Sequence, residues 1–222
     1  MSSTVDTEPA PITDDLREEL LARLQSELGD ALVASHLVPG DDLWVRVSTD
    51  AWVPAHQVLR DKLQMAYFCF LSALDWKPSP FGKGEDDPTE PPVERDMTVR
   101  PGVTGGDTRF QVFTRVHSIA RRVGITVKAD VPDEGLSIAT ISDLYAGANW
   151  HERECHEMFG LNFVGHPDLR NLYLPGDFEG YPLRKDFPLL ARMVKPWPGI
   201  VDVEPMPGEE PVDEAPAEGE AT

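Results

Sequence analysis

Between Gly160 and Pro188 the chain places a glycine or proline at Gly160, Gly165, Pro167, Pro175, Gly176, Gly180, Pro182 and Pro188. Neither a helix nor a central strand tolerates that density, because proline lacks the amide a ladder needs and glycine gives up the most backbone entropy on ordering. A segment this long without regular structure is either functional or disordered. Its aromatics and the two Leu-Arg pairs, Leu169-Arg170 and Leu183-Arg184, argue against disorder. With few hydrogen bonds of its own, such a chain takes its shape by lying on something. The expectation is an extended docking arm over residues 161–199, shaped by another protein.

The residues before it read as one domain, residues 13–160. Thr13 is placed to cap a helix with Asp14 and Asp15 in its first turn, near the positive end of the helix dipole. Leu16, Leu20, Leu24 and Leu28 at spacing four, with Leu21 beside them, form one apolar stripe that Gly29 ends. Leu43 to Val47 alternates as a half-exposed strand. Pro54 opens a second helix to about Met65, with Val58, Leu59 and Leu63 inward, and the apolar run at 67–76 ends in a strand. Phe110, Val112, Thr114 and Val116 share one face of a strand whose partner carries Val123, Ile125 and Val127, with Arg121-Arg122 at the turn. Thr140 is read as the cap of a helix pair running through Phe159. Residues 77–106, rich in proline, glycine and acid, read as a flexible hairpin insertion.

Charge sorts the rest. The net charge is −19 over 222 residues. Residues 200–222 hold eight acids and no base, residues 82–97 a net −4, and residues 1–15 four acids, which leaves −3 for the remainder. The acidity belongs to solvated extensions, a disordered lead at 1–12 and a disordered tail at 200–222, and the folded part is near neutral. With no basic face to neutralise phosphates, a nucleic-acid partner is excluded. No apolar run of about 18 residues is present to span a bilayer, and the acidic start lacks the basic-then-apolar order of a secretory signal. Two cysteines, Cys69 and Cys155, are too few for one iron–sulfur cluster, and point to a reducing compartment.

The segment His151-Glu152-Arg153-Glu154-Cys155-His156 superficially resembles a zinc-binding helix. Two histidines on one helical face must stand four apart, and here they stand five apart. His151 with Cys155 and Glu152 with His156 do have that spacing, so a metalloenzyme built on His151, Cys155 and His156 is the competing reading, without a clear third ligand. Glu152, Arg153, Glu154 and Glu157 fit either a salt-bridged solvated helix or a face whose carboxylates accept bonds from a partner's arginine or backbone amides. His166, after Gly165 and before Pro167, reads as a structural, hydrogen-bonded residue of a tight turn with Asp168. Arg170, Arg184 and Lys185 read as docking cations, with Asp186 either a docking acid or a local partner of Lys185. Tyr173, Phe178, Tyr181 and Phe187 read as anchors in pockets.

The runs Glu152-Arg153-Glu154-Cys155-His156-Glu157-Met158-Phe159-Gly160, Gly165-His166-Pro167-Asp168-Leu169-Arg170 and Gly180-Tyr181-Pro182-Leu183-Arg184-Lys185-Asp186-Phe187-Pro188, in this order and spacing, resemble the signature of the 30-kDa-type subunit family of bacterial respiratory complex I, the proton-translocating NADH-quinone oxidoreductase. The resemblance implies a two-layer α/β (α+β) domain with a mixed or antiparallel sheet and helices on one face. It implies a non-redox structural subunit of the peripheral arm, on the cytoplasmic side of the membrane, with FMN and iron–sulfur clusters in partner subunits and no cofactor or catalytic residue in this chain. The expected partners are the quinone-site (49-kDa-type) subunit and neighbouring iron–sulfur subunits. The expected interface residues are Glu152, Arg153, Glu154, Glu157, His166, Asp168, Arg170, Tyr181, Arg184, Lys185, Asp186 and Phe187. An equivalent subunit of a related membrane-bound hydrogenase or other quinone reductase is the nearest alternative.

Overall fold

The computed structural model describes residues 14–80 and 94–187. Helix α1 spans Asp15–Leu28. Thr13 lies outside the described residues; the cap is Asp14, whose carboxylate accepts the amide of Arg17 at 3.2 Å. The leucine stripe does what its spacing demands: Leu20 and Leu24 are fully buried, while Leu16, Leu21 and Leu28 pack against the same core. Gly29 ends the helix at φ +52°.

Five strands form one mixed sheet: β1 (Leu32–His36), β2 (Leu43–Val47), β3 (Tyr67–Asp75), β4 (Phe110–Ser118) and β5 (Val123–Val131), in the order β1-β2-β5-β4-β3. Only β2 and β5 run parallel; the other neighbours are antiparallel. Register lines up Val45, Val127, Thr114 and Leu71 across four strands on one face. That face, with α1 and α2 (Trp52–Asp61), makes the core, in which Trp52, Leu59, Val112, Val116 and Ile125 are buried. At 25 cal/mol per Å², each such apolar side chain contributes about 1.5–3 kcal/mol relative to exposure.

The opposite face departs from the expected half-exposed pattern. Arg46 and Lys128, opposite one another on β2 and β5, are 9% and 1% exposed. They are covered by residues 102–107, which had read as part of a flexible insertion. Residues 81–93 of that insertion lie outside the described residues. Lys128 Nζ donates to the carbonyls of Val103 and Gly105 at 2.6 and 3.2 Å, Arg46 Nε to Thr104 at 3.0 Å, and Gln111 Nε2 to Gly105 at 3.0 Å. Burial pushes the Lys128 ammonium down to about 8, against the favourable charge of Asp130. The strap is ordered because four donors of the sheet would otherwise be buried unpaired. Further along, Phe70 and Trp44 stack on Phe113.

Helix α3 (Ala148–Phe159) lies along the edge strand β3, where His151 Nδ1 donates to the Leu71 carbonyl at 2.9 Å. A helix over the edge removes a free ladder from solvent. Thr140 does not cap α3: the cap is Gly147, with no side-chain bond, and a single helix replaces the expected pair. Strands β6 (Ser137–Ala139) and β7 (Asn162–Val164) form a separate parallel pair that aligns the buried Ile138 and Phe163. Residues 161–164, expected to begin the arm, therefore belong to the domain, with Leu161 and Phe163 in its core.

Candidate functional site

The site grows from the two faces of α3. Glu152 points inward and is 0% exposed. Its carboxylate accepts the Ile141 amide at 2.7 Å and bonds the Thr140 hydroxyl. Burial raises its pKa to about 7, and those two bonds work in the other direction. His166, also with a fully buried side chain, stands 3.9 Å from it. The His166 ring accepts the Asp168 amide at Nδ1 (3.0 Å), which leaves Nε2 to donate to the Asn149 carbonyl at 3.1 Å. Glu152 and His166 thus tie α3 to the turns before and after it. Neither faces a partner, which corrects their place among the docking residues; the structural reading of His166 is the one its bonds fit.

Glu157 is likewise only 4% exposed. Its carboxylate accepts three consecutive backbone amides, Leu172 at 2.9 Å, Tyr173 at 3.1 Å and Leu174 at 2.5 Å. Burial opposes its charge, yet those amides and the nearby Arg153 hold its pKa below the usual carboxylate value. One turn earlier, Arg153 donates to the carbonyls of Arg170 and Asn171 at 2.8 and 3.0 Å. The expected acceptance of backbone amides by α3 carboxylates is present, but the amides are the chain's own. Of the α3 charges, Glu154 alone is half-buried and makes no hydrogen bond or ion pair among the described residues.

The ribbon that follows is anchored a second time. Gly160 ends α3 in the left-handed region at φ +73°, and a Cβ there would lie 2.5 Å from the Arg184 guanidinium and 2.6 Å from the Tyr181 ring. Arg184 Nε donates to the Phe159 carbonyl at 2.7 Å, the Leu183 amide donates to Met158, and the guanidinium stacks on Tyr181 at 4.3 Å. Asp186 pairs with Arg109 and Lys77 at 3.0 and 3.2 Å, which hold its pKa down to about 2. Phe187 stacks on Phe178. The expectation that neighbouring proteins shape residues 161–187 is therefore corrected: hydrogen bonds and ion pairs to the chain's own domain fix them. Residues 188–199 of the expected arm, and the tail at 200–222, lie outside the described residues.

What the ribbon leaves outward is apolar. Tyr173 is 64% exposed, Leu183 51%, and Phe178 and Tyr181 39% each. Arg170, 75% exposed, pairs only with the neighbouring Asp168 at 3.0 Å, and Lys185 extends into solvent. The histidines and cysteine of the competing metal reading are spent elsewhere. His156 bonds the Leu161 carbonyl at 2.7 Å, His151 bonds β3, and Cys155 is buried, its thiol pushed up by burial. Among the described residues no group of three His, Cys, Asp or Glu is placed to hold a metal ion. Sequence reasoning missed Asp75, Arg109 and Thr140. The lone acid closing the apolar run of β3 was the available signal for Asp75.

Residues 45–193 match the family model described as respiratory-chain NADH dehydrogenase, 30 Kd subunit. A single-letter C-type subunit of the NADH-quinone oxidoreductase of Roseiflexus castenholzii is 37% identical over 175 residues, covering 79% of this chain and 86% of that protein. The C/D-type subunit of the NADH-quinone oxidoreductase of Photorhabdus laumondii subsp. laumondii is 37% identical over 158 residues, 71% of this chain but 25% of that longer protein. Among solved structures, a chain of an archaeal respiratory complex, the membrane-bound sulfane sulfur reductase, shares the fold with a TM-score of 0.53 at 21% identity, covering 79% of this chain and 87% of the other. By the matched model and the identity to its relatives, this chain belongs to the family of the 30-kDa subunit of respiratory-chain NADH dehydrogenase.

Proposed function

We propose that this chain is a non-redox, structural subunit of the peripheral arm of a proton-translocating NADH-quinone oxidoreductase, and that it docks through the outer face of residues 168–187. The assembly would pass electrons from NADH through FMN and iron–sulfur clusters, all held by other subunits, to quinone. The observation that carries the docking reading is the row of exposed Tyr173, Phe178, Tyr181 and Leu183 on a ribbon whose backbone is already fixed. Aromatics held rigid at low entropic cost are what interface centres use. Unspent Glu154 and the exposed Arg170 and Lys185 supply the polar rim.

The leading partner is the quinone-site, 49-kDa-type subunit. Relatives of the C/D type join a part like this chain to a second part in one polypeptide, as in the Photorhabdus protein, and fusion favours partners that already touch. No helix among the described residues is long and apolar enough to cross a membrane, so attachment on the cytoplasmic side would come through neighbouring subunits. The likeness to the sulfane sulfur reductase chain is one of fold; the 37% identity to the Roseiflexus protein supports the NADH-dependent assembly. Co-expression with the 49-kDa-type subunit and affinity capture of this chain tests the reading. Stoichiometric recovery of that subunit is expected, and recovery of this chain alone would count against it.

A further inference from the structure

Asp75 closes β3 with a side chain that is 0% exposed. Each of its oxygens accepts two bonds. Oδ1 takes Arg109 Nε at 2.9 Å and the Lys77 amide at 3.0 Å; Oδ2 takes Arg109 Nη2 at 2.7 Å and the Lys185 amide at 2.8 Å. A carboxylate offers about four lone-pair sites, and here all are used. Arg109 Nη2 also reaches Asp186, which Lys77 Nζ reaches from the other side. Two acids and two bases close on one another as a compact, neutral group. It bridges the end of β3, the start of β4 and the ribbon. From the opposite side, the last turn of α3 takes the Leu183 amide and the Arg184 guanidinium on its final carbonyls.

We propose that Asp75 is a positioning residue for the docking face: it seats residues 183–187 in the free chain, so that the face is assembled before any partner arrives. The inference deepens the docking reading, but it concerns the isolated polypeptide. It therefore stands or falls separately from the partner's identity. An asparagine at position 75 keeps one acceptor oxygen and turns two N–H donors toward a ring of donors, so it cannot seat Lys185 and bind Arg109 together.

The test is hydrogen–deuterium exchange, read by mass spectrometry, on the full isolated chain and its Asp75→Asn and Asp186→Asn variants. The wild-type amides of Leu183, Lys185 and Phe187 are expected to be protected. Asp75→Asn should speed their exchange by roughly tenfold or more, while the amides of Leu172 to Leu174 on Glu157 and those of β5 stay unchanged. Loss of protection throughout the sheet would assign Asp75 to general stability and overturn the proposal. Should Asp75→Asn fail to fold, Asp186→Asn carries the test, with faster exchange expected at 183–187 alone. Exchange of these wild-type amides at unstructured rates would overturn it outright. Protection here together with failed capture of the 49-kDa-type subunit would sink the docking reading and leave this inference intact.

Discussion

Arg153 and Glu157 stand one helical turn apart on α3 and grip adjacent stretches of the same ribbon with opposite chemistry. The guanidinium donates to the carbonyls of residues 170 and 171, and the carboxylate accepts the amides of 172 to 174. An i, i+4 surface pair contributes only ~0.3–0.5 kcal/mol. Committing both charges to buried backbone instead satisfies five polar groups that proline and glycine keep out of regular ladders.

The first prediction follows from that grip. Glu157→Gln puts an amide donor among three amide donors and is expected to destabilise the chain by ~1–3 kcal/mol, the cost of leaving buried groups unpaired. Chemical denaturation measures it. The pKa of Glu157 is lowered in the fold, so its contribution is complete above the unfolded carboxyl value near 4.5 and is lost as pH falls through the lower folded value. The stability difference between wild type and variant should therefore shrink in acid, and a constant difference down to pH 3 would contradict the assignment.

Glu152 predicts the reverse sign. Its pKa is raised to about 7, so between about 4.5 and 7 the folded state holds a proton that the unfolded state has lost, and wild-type stability carries a falling component as pH rises through that window. Glu152→Gln is neutral at every pH; its oxygen can accept the Ile141 amide and its nitrogen can donate to Thr140. Relative to wild type, the variant is expected to gain stability from pH 5 to pH 8 and to hold that gain above it. Denaturation at a series of pH values tests this, and a variant that loses ground toward pH 8 would refute it.

Gly160→Ala should be costly for two reasons at one position. The left-handed backbone costs ~1–2 kcal/mol for a residue with a Cβ, and that Cβ lands on Tyr181 and Arg184. Thermal melting should show the loss, and exchange protection at Leu183 should fall with it, because the two share the end of α3. A variant melting like wild type would show that Arg184 does not sit where described.

The sequence made the apolar half of this fold legible because period alone decides it. The leucines of α1 and the alternation of Phe110 to Val116 put side chains on the faces where they are found. Charged residues misled for the same reason. Glu152, Glu157, Arg46 and Lys128 read as solvated, since such groups are rarely buried unless paired, and their partners lie at Thr140–Ile141, 172–174 and 102–107, beyond any local pattern. The ribbon was recognised as ordered and irregular. What it lies on was misjudged, because backbone amides aimed at a distant carboxylate leave no mark in residue identity.

The most direct test of the central claim, that this ribbon presents its outer face to the quinone-site subunit, is site-specific photo-crosslinking in the assembled complex. A photoreactive residue at Tyr173, 64% exposed on the ribbon, is compared with one at Val33, 48% exposed on β1 at the end of the sheet away from β3. Crosslinking of the 49-kDa-type subunit from position 173 and not from position 33 is predicted. Crosslinking of that partner from Val33 alone, or no crosslink from position 173 in an intact complex, would contradict it.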